Sequence, residues 1–289
     1  MDHDLEDFDR GLAFDMGRMM ERRRALKMFA GAGAVAFLAA CGADTKSSVN
    51  TTGNTTGSTT GNTTASTTSS TTSSTTASTT AAACTTEVPE ETAGPFPGDG
   101  SNGPDVLADP NVVRSDITTS FGDYTGTASG VPTTIKLTVL DSSNGCQPLT
   151  SGAVYLWHAD QDGHYSMYTA ADANYLRGVG EADANGTVTF QSIWPGCYDG
   201  RWPHIHFEVY PSVDDALAAK NLIKTSQIAL PEAECQAVYA AAGYESSVTN
   251  LKRVSLASDN VFSDGWDQQL GTAVGSTDSG WTVSLAITV

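Results

Sequence analysis

Arg201-Trp202-Pro203-His204-Ile205-His206-Phe207-Glu208-Val209-Tyr210 is the stretch from which the rest of the chain can be read. Residues 204–210 follow a proline and read as a strand. Side chains alternate between the faces of a strand, so His204 and His206 point the same way, with Cα atoms roughly 7 Å apart. Two imidazoles so placed can chelate one ion. A histidine pair on a strand can equally be structural, and the surroundings carry the decision. Arg201 stands three residues before the pair, and the segment Trp194-Pro195-Gly196-Cys197-Tyr198-Asp199-Gly200 is a glycine-containing loop able to approach a site closely.

Further strands lie on both sides. Thr134–Leu140 alternates polar and apolar residues, as a half-buried strand does, and Asp141–Gly145 follows as a turn. Ala153–His158 is a second strand. Asp183-Ala184-Asn185-Gly186 is a hairpin-type turn before a third, Thr187–Ile193. Trp281–Val289 alternates strictly. Only Glu232–Ala242, ending at Gly243, has the character of a helix. Many short strands separated by turns predict an all-β fold, a sandwich of mainly antiparallel strands with long loops and one short helix.

The N-terminal third reads differently. Glu21-Arg22-Arg23-Arg24-Ala25-Leu26-Lys27 is a twin-arginine pattern, followed by an apolar run from Met28 to Ala40 that is too short to span a bilayer comfortably. Leu38-Ala39-Ala40-Cys41 resembles a lipobox, with Cys41 as the lipidated residue. Residues 1–41 are therefore expected to be an export signal region. Residues 42–86 are dominated by Thr, Ser, Ala, Gly and Asn, and are expected to form a solvated tether, because they cannot bury enough apolar area to offset the entropy of ordering. A globular domain is expected over 87–289, exported and held to a membrane surface by the lipid anchor alone.

The formal net charge is −18. A body so acidic repels nucleic acid and anionic lipid, so nucleic-acid binding is excluded. Beyond Cys41 there are four cysteines, Cys84, Cys146, Cys197 and Cys235. An even number in an oxidising compartment suggests disulfides. Cys146 precedes the strand that runs toward Tyr165 and belongs at the end away from the histidine pair, whereas Cys197 adjoins Tyr198 near that pair. Seven or eight extended residues span about 25 Å, and a disulfide needs Cα atoms within roughly 7 Å. Cys146 and Cys197 are therefore expected not to be joined to each other.

No third histidine or carboxylate ligand is obvious beside the pair. The oxygen donors in the right loops are tyrosines: Tyr198, and one of Tyr165, Tyr168 and Tyr175, among which spacing alone does not choose. A phenol with a pKa near 10 is a poor zinc ligand at neutral pH, but a hard trivalent ion can deprotonate it. Two phenolates with two imidazoles favour Fe(III).

Residues 90–289 resemble the intradiol ring-cleavage dioxygenases. The resemblance rests, in order, on Glu91-Thr92-Ala93-Gly94-Pro95-Phe96, Trp157-His158-Ala159 through Gly163-His164-Tyr165-Ser166, Pro195-Gly196-Cys197-Tyr198, Arg201–His206, Thr225-Ser226-Gln227-Ile228 and Asp259–Gly265. It implies a β-sandwich with one Fe(III) held by Tyr165, Tyr198, His204 and His206. It places Arg201 and Gln227 beside the substrate, with Tyr198 as the ligand that gives way and acts as local base, and Pro95 in the pocket wall. The implied partners are a small aromatic diol and O2, the product a muconate-type diacid. The chain departs from the cytoplasmic catechol enzymes in having the Thr/Ser stretch where their helical dimerisation segment stands. Trp202 replaces a commonly smaller residue, and Cys197 adjoins a ligand tyrosine; both bear on substrate range. A rival reading is a binding module that captures ferric ion or catecholate outside the cell, which would hold a catechol under oxygen without consuming it. Arg177, Lys220 and Lys224 are the other cations near the motifs, as possible partners of a ring carboxylate; their small number favours catechol, substituted catechols or hydroxyquinol over protocatechuate.

Overall fold

Residues 86–289 are described by a computed structural model; the twin-arginine run, Cys41 and nearly all of the Thr/Ser-rich stretch lie outside the described residues. Pro132–Asp141 forms β1, with Thr133, Ile135, Leu137, Val139 and Leu140 buried and Pro132 and Lys136 exposed. Gln147–Pro148 (β2) and Thr187–Ile193 (β5) lie along one side of β1, and Gly280–Thr288 (β9) runs parallel to it on the other, bordered by Thr272–Ser276 (β8). The second sheet has the order β4 (Arg177–Glu181), β3 (Ala153–Trp157), β6 (His204–Tyr210), β7 (Lys224–Ala229), all antiparallel.

The sheets pack face to face. Ile135, Leu137 and Val139 of β1, Val188 and Phe190 of β5 and Val283 of β9 meet Val154 and Leu156 of β3 and Ile205, Phe207 and Val209 of β6 in one core. This sandwich is the expected class. The second sheet is also covered on its other face, where Tyr155, Trp157, Val179 and Tyr210 pack with Val106, Leu107, Val112, Tyr165 and Ala216 from loops and a helix. All seven residues of β6 are consequently buried, and the polar positions His204, His206 and Glu208 face a second layer of protein.

Helices are short. Besides Glu232–Tyr239 (α2), which falls within the expected helix, there are Val213–Leu217 (α1) and Glu245–Leu251 (α3). At five and seven residues, neither is long enough to display a periodic apolar face. No helix among the described residues is long and apolar enough to cross a membrane.

The cysteines correct the pairing expectation in part. Cys146 is disulfide-bonded, whereas Cys197 and Cys235 are buried free thiols. Both thiols belong to the core of the sandwich; there they act as small apolar side chains. The expectation that Cys146 and Cys197 are not joined holds.

Candidate metal centre

Strand pairing sets the first row of the site. His206 stands opposite Trp157 on β3 and Gln227 on β7, and the Trp157 ring stacks on the His206 imidazole at 4.9 Å and 8°. Two loops then bring phenols over this row. They approach closely because of two glycines. A Cβ on Gly196 would lie 2.4 Å from the Gln161 carbonyl oxygen. Gly163, at φ +86°, leaves only 2.9 Å between such a Cβ and that of Tyr198. Any larger residue at either place would separate the loop bearing Tyr165 from the loop bearing Tyr198.

Four donor atoms converge there. Tyr165 Oη is 3.1 Å from His206 Nε2 and 3.3 Å from His204 Nε2. Tyr198 Oη is 3.3 Å from His204 Nε2, and the two Nε2 atoms are 3.1 Å apart. His204 Nδ1 lies 2.5 Å from the Trp202 carbonyl oxygen. That acceptor requires the proton on Nδ1, which leaves the Nε2 lone pair bare and directed at the cluster. Burial, with the Arg201 charge in support, holds both imidazoles far below the usual histidine range, so both are neutral. Burial also drives the Tyr165 phenol well above its ordinary value, with Tyr198 adding to the effect. It raises Tyr198 as well, against the pull of Arg201.

These residues fit a hard metal ion. Donors about 2.0–2.2 Å from a common centre stand about 3 Å from one another, which is the spacing found. A cation at that centre reverses the preference of the buried phenols and stabilises them as phenolates. Two phenolates and two neutral imidazoles suit Fe(III) better than a soft or divalent ion. Tyr168 and Tyr175 lie elsewhere: Tyr168 Oη accepts from the Gly98 amide and donates to Asn102, and Tyr175 Oη donates to Asp160.

Arg201 is buried, not a surface arginine. Its Nε donates to Asp259 Oδ2 at 2.9 Å, its Nη2 to Gln227 Oε1 at 2.6 Å, and its Nη1 faces His204 Nε2 at 3.5 Å. Although burial works against its charge, Tyr198 and Asp259 hold the guanidinium charged. Asp259 also accepts from the amides of Trp202, Val261 and Phe262. Gln227 is occupied at both ends, with Nε2 donating to the Thr92 carbonyl at 3.0 Å. Pro95 lies between Gly94, where a Cβ would be 3.4 Å from His206 Cε1, and Phe96, whose ring centroid is 5.0 Å from that of Tyr165. The sequence reading left out Asp259 as the partner of Arg201 and Phe96 as a wall; both stand in stretches already quoted.

The suggested carboxylate-binding cations are placed otherwise. Lys224 pairs with Glu87 at 3.4 Å, Lys220 is exposed, and all the donors of Arg177 are turned to oxygens of its own chain. His158 does not join the cluster. Its Nδ1 lies 2.7 Å from the Ala159 carbonyl oxygen and its Nε2 2.7 Å from Ser192 Oγ.

Burial lowers His158 to about 4. From its unfolded value near 6.5 down to about 4, the unfolded chain takes up a proton that the folded chain refuses. The contribution is fully present above the higher value and is lost as pH falls toward the lower one. Denaturant unfolding of metal-free protein at pH 7 and pH 5 should show the wild type losing roughly 2 kcal/mol more than His158→Gln; parallel losses would contradict this role.

The family model described as Dioxygenase matches residues 102–220. An intradiol ring-cleavage dioxygenase from Tetranychus urticae is similar in structure, with 26% identity and a TM-score of 0.50, covering 61% of this chain and 85% of that one. The dioxygenase domain of a dioxygenase–carbohydrate-binding protein fusion from Streptomyces sp. SirexAA-E matches at 21% identity and a TM-score of 0.45, covering 71% and 98%. No curated protein matches. Over residues 102–220 and in its sandwich fold, the chain is thus similar to the intradiol ring-cleavage dioxygenases.

Proposed function

We propose that this protein is a non-haem Fe(III) dioxygenase that opens the ring of a catechol-type substrate between its two hydroxylated carbons, giving a muconate-type diacid. The convergence of Tyr165, Tyr198, His204 and His206 on one point, with Arg201 beside it, carries the reading. When bound, Fe(III) supplies Lewis-acid activation of the diol toward O2. The protein's own groups do the rest. His204 and His206 present neutral nitrogens, fixed by the strand. Tyr165 touches both imidazoles and packs against Phe96, so it is the more firmly held phenol. Tyr198 touches one imidazole and is half-buried. It is the phenol that moves aside for the diol and takes up a proton at Oη.

Arg201 is fixed by Asp259 and Gln227, leaving Nη1 toward the reacting face. A donor held in place before the reaction stabilises charge developing on the substrate without reorganising. Gln227 orients this guanidinium and ties it to the Thr92 carbonyl. A ring carboxylate would need a further free cation. Arg177, Lys220 and Lys224 do not offer one, so the favoured substrates are catechol, substituted catechols and hydroxyquinol.

We further propose that the protein works outside the cytoplasm, anchored by lipid at Cys41. The twin-arginine run, the lipobox-like Leu38–Cys41 and the disulfide at Cys146 support this. Cys41→Ala should move the protein from the membrane to the soluble fraction or block its processing; membrane retention at wild-type levels would contradict the anchor.

Oxygen uptake over a panel of catechols, with products identified, tests the reaction. Uptake with formation of a muconate-type acid is expected, and a catechol that binds without being consumed would instead indicate a capture module. Arg201→Ala should keep the metal, since Arg201 is not among the four donors, while turnover falls by about two orders of magnitude or more. Arg201→Lys should recover little, because a point charge does not reproduce the planar fork. Turnover of Arg201→Ala within about threefold of wild type would contradict the assignment, since that is well under 1 kcal/mol.

A further inference from the structure

Arg177 opens β4 and is 1% exposed, yet no carboxylate lies within 4 Å of it among the described residues. A buried charge without a counter-ion is tolerated only when its donors are satisfied. Here all five N–H groups are used. Nε donates to Ser166 Oγ at 3.0 Å. Nη1 donates to the Pro97 carbonyl at 2.8 Å and to Tyr155 Oη at 3.1 Å. Nη2 donates to the Phe96 carbonyl at 3.0 Å and to the Ser166 carbonyl at 2.9 Å. The two hydroxyls pass the chain on, Tyr155 to the Pro97 carbonyl and Ser166 to the Tyr175 carbonyl.

These acceptors belong to three separate pieces of the molecule. Phe96 and Pro97 are the arm that crosses the metal centre, Ser166 follows the ligand Tyr165, and Tyr155 lies on β3. The arm is pressed close: Gly98, at φ +67°, would place a Cβ 2.7 Å from Arg177 Nη1. Its amide donates to Tyr168 Oη at 2.9 Å. The Phe96 ring is thereby held 5.0 Å from the rings of both Tyr165 and Tyr168.

We infer that Arg177 is a positioning residue for the metal centre. Its guanidinium locks the Phe96–Pro97 arm to the Tyr165–Ser166 loop, and so sets where the Tyr165 phenol meets His204 and His206 and where Phe96 closes the pocket. Lysine does not substitute, because one ammonium cannot reach three elements in a planar fork. The part concerning turnover rests on the proposed dioxygenase reading; the part concerning the arm does not.

The test compares Arg177→Lys and the milder Ser166→Ala, which removes one acceptor on the Tyr165 side, with wild type. In hydrogen exchange, the amides of Gly98 and Val106, the latter bonded to the Gly98 carbonyl, should exchange at least about tenfold faster in Arg177→Lys, while those of Ile205 and Phe207 stay unchanged. In iron-loaded protein the visible tyrosinate absorption should shift in both variants, and KM for catechol should rise more than kcat falls. Should Arg177→Lys fail to fold, Ser166→Ala decides through its absorption and its KM. Unchanged exchange at Gly98 and Val106, or loss of protection spread evenly through the core, would overturn the inference and leave Arg177 as a staple of the fold. So would unmoved absorption in Ser166→Ala. If wild type fails to turn over any catechol, the exchange data still decide the clamp, and the failure falls on the dioxygenase reading alone.

Discussion

Two imidazole nitrogens held 3.1 Å apart on one buried strand are the constraint around which this molecule is arranged. Bare lone pairs facing each other in a desolvated setting are unfavourable unless something positive lies between or beside them. The surrounding structure supplies what is needed to hold them there. Trp202 fixes the tautomer of His204, Trp157 stacks on His206, and two phenols complete the ring of donors. The second sheet is buried on both faces for this reason. One face builds the core with β1, β5 and β9; the other carries the histidine pair and is roofed by loops and the arm that follows residue 86.

Two buried arginines hold that roof by different means. Arg201 is paired with Asp259, which also accepts three backbone amides, so the loop at 259–262 and the start of β6 are one unit. Losing one partner of such a pair leaves an uncompensated charge and costs about 3–5 kcal/mol. Among the described residues Arg177 has no acid beside it and is balanced by five oxygens. Among its ties, the arm is held through Thr92 to Gln227 and Arg201 on one side, and through Phe96 and Pro97 to Arg177 on the other. Binding groups drawn from loops far apart in sequence keep their geometry only when such ties hold them.

Alternation made β1, β5, β6 and β9 readable from the residues alone, because each puts apolar side chains on the core face. Lys224–Ala229 was not readable as a strand by this means, since five of its six residues are buried and nothing alternates. Arg177–Glu181 contains two glycines, one of which would place a Cβ 2.3 Å from Val188, so packing rather than propensity decides it. The histidine pair followed from the two-residue period of a strand. The partner phenol did not, because Tyr165, Tyr168 and Tyr175 share one loop region, and only the fold sends the last two to Asn102 and Asp160. The burial of Arg201 was equally beyond local reading, since its partner lies 58 residues away. The same holds for Cys197 and Cys235, whose number suggested pairing and which are buried free thiols of the core.

The central claim is that Tyr165, Tyr198, His204 and His206 together hold a ferric ion. Iron content and the visible spectrum of the purified protein, measured beside Tyr165→Phe, test it most directly. The account predicts about one iron per chain, with a tyrosinate-to-ferric absorption that colours the wild type and is weakened or lost with the metal in Tyr165→Phe. Iron-replete protein without that absorption, or a Tyr165→Phe spectrum identical to wild type, would contradict it.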